Sequence, residues 1–103
     1  MGYNVIIKKL IWDEWNVAHI ARHTVLPGEV EEVCRGTYTA YESHDGRFEV
    51  IGTTKQKRIL FIVLDPEPVE GEYYVVTAHT ASKKARVLFQ KEKGGEIYDT
   101  TKK

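Results

Sequence analysis

One cysteine, three prolines and no surplus charge of either sign are what this 103-residue chain offers where many small proteins have more. The single Cys34 excludes an internal disulfide and any multi-cysteine metal centre. Its neighbours Val30 and Val33 point to a buried, unreactive thiol. Fifteen basic and fifteen acidic residues cancel, so the molecule as a whole is no general polyanion binder. The longest apolar run, residues 59–64, is far too short to span a bilayer. The first residues also lack the basic, apolar and small succession of a signal peptide, so the expectation is a cytoplasmic protein that does not meet a membrane. No internal repeat, low-complexity tract, Gly-rich phosphate loop, nucleophile elbow or dinucleotide fingerprint is present.

What is there reads as one folded α+β domain. With 42% hydrophobic and 29% charged residues the chain can bury a single core, expected over residues 1–95, with 96–103 a disordered tail. Residues 3–11 are β-prone and suit an edge strand guarded by Lys8 and Lys9. Asp13 is placed to cap a helix over 14–23, with Val17, Ile20 and Ala21 as its apolar stripe. Pro27 begins a second helix whose buried stripe is Val30, Val33 and Cys34, stopped by Gly36. From Thr37 the period changes to two. Strands are expected over 37–43, 47–54, 59–64 and 73–79, with turns at 44–46 and 55–57 and a longer loop at 65–71. Strict alternation along 73–79 would put Tyr73, Val75, Thr77 and His79 on one face and Tyr74, Val76 and Ala78 on the core side. A basic helix follows, capped by Ser82 and burying Ala85, Leu88 and Phe89. The order β-α-α-β-β-β-β-α predicts an antiparallel sheet of four to five strands with the helices packed on one face.

The charges are segregated. Lys55, Lys57 and Arg58 share one hairpin, and Lys83, Lys84, Arg86, Lys91 and Lys93 follow His79, whereas the acids gather at 29–32 and 65–72. A group able to exchange protons near neutral pH thus lies among cations, an arrangement suited to a phosphodiester. His19 and His23 have the i, i+4 spacing of paired zinc ligands but lack the intervening glutamate and a third ligand, so no metal or cofactor is called for. Trp12 and Trp15 could stack on bases or pack beside the first helix.

Four stretches carry a resemblance: Trp12-Asp13-Glu14 through His19-Ile20-Ala21-Arg22-His23, Pro27-Gly28-Glu29-Val30-Glu31-Glu32-Val33, Gly46-Arg47-Phe48-Glu49-Val50-Ile51-Gly52, and Arg58 through Leu64. Together they resemble the BrnT family of bacterial toxins. The resemblance implies a RelE-like fold and a metal-independent endoribonuclease. It also implies a cognate helical, DNA-binding, BrnA-like antitoxin that silences the toxin, with a homodimer or a toxin–antitoxin hetero-oligomer as the assemblies open to it. Two positions depart from the family pattern, His79 standing for an arginine and Ala85 for a glutamate. Metal-free RNA cleavage needs a base, an acid and cations. The candidates are His79 for proton transfer, Arg58, Lys83 and Arg86 as phosphate clamps, and Glu49 or His23 as the second proton-transfer group. Lys55, Lys57, Lys84 and Tyr73 are the candidate RNA-binding residues, with RNA expected to cross the open sheet face and the last helix. The competing expectation is a toxin-derived module that binds RNA or antitoxin with little or no turnover.

Overall fold

A computed structural model describes residues 5–92; the tail expected over 96–103 falls outside them. Along the chain run β1 (Lys9–Ile11), α1 (Glu14–Ala21), α2 (Pro27–Arg35), β2 (Tyr38–Glu42), β3 (Phe48–Thr53), β4 (Ile59–Pro66), β5 (Glu72–Thr80) and α3 (Lys83–Glu92). The element order is the one expected. The strands form one five-stranded sheet in the order β1-β5-β4-β3-β2.

That sheet is mixed, not purely antiparallel. β2 to β5 form an antiparallel meander, but β1 pairs parallel to β5 through Lys9↔Glu72, Leu10↔Tyr73 and Ile11↔Tyr74. Everything from α1 to β4 acts as the long crossover that a parallel pair requires. Because β1 stops after three residues, the second half of β5 has no strand on its outer side, and α1 packs against β5 instead.

The helices cover both faces, which corrects the expectation of one. In β4 the fully buried Leu60, Ile62 and Leu64 belong to the main core with Val30, Val33 and Ile20 of α2 and α1. Their alternates Ile59 and Phe61 pack on the other side with Ala81, Ala85 and Phe89, under α3. An all-apolar strand has two faces to hide, and this one uses both. α2 lies so close to β3 that a Cβ built on Gly52 would sit 2.6 Å from Val33 Cγ1 and 2.7 Å from the Thr37 carbonyl oxygen.

α1 is capped by Asp13 as expected but ends at Ala21, and of the expected stripe Val17, Ile20 and Ala21 only Ile20 is buried, together with Asn16. Asn16 is tolerated inside because its polar atoms are used: its backbone N–H donates to Asp13 Oδ1, its Oδ1 accepts from the Asp13 N–H, and its Nδ2 donates to the Ile11 carbonyl, each at 2.9 Å. The thiol of Cys34 is buried beneath α2, and that burial, with Glu31 nearby, pushes it up to about 12.

A bulge divides β5. Val63 pairs with Thr77 but Leu64 pairs with Val75, so Val76 is an extra residue without a partner on β4. The alternation changes phase there. Val75 and Ala78 are both fully buried in the main core, Tyr73 packs with them, and Thr77 and His79 face the other way.

Candidate functional site

Three elements meet at the end of the sheet where β5 finishes. The α1 to α2 connection contributes His23 and Thr24, the β3 to β4 hairpin contributes Lys55, Lys57 and Arg58, and β5 contributes His79 and Thr80 before the chain turns into α3. The Ala81 N–H donates to the Ile59 carbonyl, anchoring that turn. The Ser82 hydroxyl accepts from the Ala85 N–H at 3.2 Å, so Ser82 caps α3 as the sequence suggests.

His79 lies over Phe61, its cross-strand neighbour, with ring centroids 5.3 Å apart and 23° between planes. Its Nδ1 is 2.9 Å from the Thr80 carbonyl oxygen. A carbonyl can only accept, so Nδ1 carries the proton and the neutral ring keeps its lone pair on Nε2. His23 stands edge-on to it with centroids 5.7 Å apart, and His19 stands edge-on to His23 at 5.4 Å. His19 Nε2 in turn lies 3.0 Å from the Thr77 hydroxyl. Three imidazoles, one from α1, one from the connection that follows it and one from β5, therefore form a continuous row beside the end of β5. Among the described residues, no group of three or more His, Cys, Asp or Glu side chains is arranged to hold a metal ion.

Arg58 is part of the site but not the free clamp expected. Its Nη1 donates to both Glu29 carboxylate oxygens at 2.9 and 3.0 Å, and its Nη2 donates to Thr24 Oγ1 at 3.3 Å and Thr80 Oγ1 at 3.2 Å. One guanidinium thus ties α2, the α1 to α2 connection and the end of β5 together. Lys83 and Lys84 are exposed with no side-chain hydrogen bond or ion pair among the described residues, and exposed Arg86 turns back to the Ala81 carbonyl at 3.3 Å. Lys55 and Lys57 are exposed at the hairpin tip.

Two candidates fall elsewhere. Glu49 shares the sheet face of His79 but stands two strands across and two residues along, roughly 12 Å away. That separation removes it from proton transfer beside His79. Tyr73 lies about 20 Å from His79 along β5 and on the opposite face, packed edge-on to Phe48 at 5.8 Å. The bulge is the reason: it is Tyr74 that shares the face of His79, where its hydroxyl donates to the Asp13 carboxylate.

The chain was compared with family models, with curated proteins and with solved structures. None matches. In sequence, the spacing of His19 and His23 is that of metal ligands alone, and Thr77 and Thr80 carry no signal of their own. Their roles arise from α1 docking along β5, which a linear pattern does not encode.

Proposed function

We propose that this protein is a metal-independent endoribonuclease with a RelE-like fold, a BrnT-like toxin held silent by a helical, DNA-binding antitoxin. The observation that carries this reading is the pairing of His23 with His79 at 5.7 Å, on different elements, at the cationic end of the sheet. With Nδ1–H fixed on the Thr80 carbonyl, Nε2 of His79 is the base that takes the proton of a ribose 2′-hydroxyl. The 2′-oxygen attacks the adjacent phosphorus, the bond from phosphorus to the 5′-oxygen breaks, and protonated His23 donates to that leaving oxygen. The products are a 2′,3′-cyclic phosphate and a 5′-hydroxyl end. Lys83 and Arg86 stabilise the charged phosphorane, with Arg58 contributing what its tie to Glu29 leaves available.

The test is expression of the full chain alone in a bacterium, beside His79→Ala and His23→Ala. The expected result is growth arrest with RNA fragments ending in cyclic phosphate, and a loss of about 10²–10⁴ in cleavage rate for either variant of the purified protein. The commitment of Arg58 to Glu29 favours a second reading, a module that binds RNA or antitoxin without turnover. Equal tolerance of all three chains, with RNA left intact, would replace the first reading by the second.

A further inference from the structure

The two tryptophans part company in the fold. Trp12 packs against the main core and donates from Nε1 to Glu31 Oε2 at 2.9 Å. Trp15 is 76% exposed on α1. Residues at i, i+4 and i+7 share one flank of a helix, so Trp15, His19 and Arg22 line the same side of α1. It is the side turned to β5, since His19 reaches Thr77 from it. Helical rise places Trp15 about 6 Å from His19 along the axis and about 10 Å from Arg22. Arg22 is exposed and has no side-chain hydrogen bond or ion pair among the described residues. The flank thus begins at the imidazole row and ends at an open indole.

We infer that this flank of α1 is a track for single-stranded RNA, in which Arg22 contacts a backbone phosphate and Trp15 stacks on a base flanking the scissile bond. The inference rests on the nuclease reading and adds the substrate's strandedness and path. Charge decides that path. The part of that sheet face left uncovered by α3 presents Glu49 and Asp65, the latter 4.0 Å from Arg47, and Asp13 lies at the edge beside Tyr74, so a polyanion crossing it meets more carboxylate than cation. The α1 flank offers cation and imidazole near the reacting phosphate, and only at its far end, beside Asp13 and Glu14, does it become acidic. A base fits there better than a phosphate. Duplex bases are already stacked on one another, so an indole platform selects for unpaired nucleotides.

Two tryptophans make the test direct. A short, fully 2′-O-methylated RNA oligonucleotide, which cannot be cleaved, is titrated against the full chain while indole fluorescence is followed. Quenching by the single strand and not by its duplex is expected, and Trp15→Phe should bind without that quenching. Trp15→Ala should weaken binding about 5- to 100-fold. Arg22→Gln should lower the slope of log affinity against log salt by about 0.7. Unchanged affinity in Trp15→Ala, or duplex binding as tight as single strand, overturns the track. So does a Trp15→Ala chain that keeps RNA affinity but loses a co-expressed protein partner. Cleavage assays separate the two proposals: wild-type cleavage with unaltered kcat/KM in Trp15→Ala sinks the track alone, whereas stacking without any cleavage sinks the nuclease alone.

Discussion

Replacing Arg58 by alanine should destabilise the fold before it says anything about chemistry. The guanidinium makes two charge-assisted hydrogen bonds to Glu29 and two bonds to threonine hydroxyls. Hydrogen bonds to charged groups contribute about 1.5–3 kcal/mol each when well sheltered. Here the two side chains are 27% and 25% exposed, so solvent screens part of that. Glu29 also keeps the Leu26 N–H at 3.0 Å and the positive end of α2 when Arg58 is gone, which softens the loss. The threonines turn to water. The net cost is about 2 kcal/mol, a fall in Tm of about 8–16 °C for a domain of this size. Urea unfolding of Arg58→Ala, Glu29→Gln and the double variant would measure the pair directly, with a coupling of about 1 kcal/mol or more expected. Cleavage must be assayed where all the chains are folded. An Arg58→Ala protein as stable as the wild type but devoid of ribonuclease activity would refute this reasoning and return Arg58 to the role of phosphate clamp.

Three other outcomes follow from the packing. Gly52→Ala should cost about 3 kcal/mol in urea unfolding, because the Thr37 carbonyl cannot retreat from the new methyl as a side chain could. The Tyr41 hydroxyl is buried without a hydrogen-bond partner among the described residues, so Tyr41→Phe should raise stability by about 1 kcal/mol; a loss of that size would reveal a partner. Because burial raises Cys34 to about 12, the unfolded chain releases the thiol proton first, and stability should fall by about 1.4 kcal/mol per pH unit between about 9 and 12. Tyr38, also raised by burial, adds to the same decline, so Cys34→Ser should flatten the profile only in part.

Strands, turns and the second helix were legible because each is written in adjacent residues. Pro27 and Gly36 bracket α2, and Gly46, at φ +87, makes the turn that joins β2 to β3. The run Ile59–Leu64 spelled a central strand, yet its lack of polar residues was equally a sign that both faces are covered, and α3 takes the second. The stripe of α1 departs from its apolar periodicity because Asn16 is polar by type but satisfied in place, while Val17 is 37% exposed. In the site, His79 and the cationic hairpin were visible as local clusters. Glu29 was not, since its tie to Arg58 joins residues 29 positions apart and looks, in sequence, like one more solvated glutamate at a helix start.

The bulge at Val76 is what lets one strand serve both core and site. A regular β5 would set Val75 and His79 on the same face, and one of them would be misplaced: either a valine in water or an imidazole in the main core. An imidazole buried there would need partners that Ile62, Leu64 and Val75 cannot supply. The extra residue keeps Val75 and Ala78 both inside and turns Thr77 and His79 out. That turn alone would give a lone histidine on an edge. The row forms because β1 ends at Ile11, leaving the outer side of β5 to α1, whose His19 meets Thr77, and to the connection after it, whose His23 meets His79. A short first strand and one unpaired valine thus do together what neither does alone, bringing the base, its partner imidazole and the proposed RNA track to a single sheet edge.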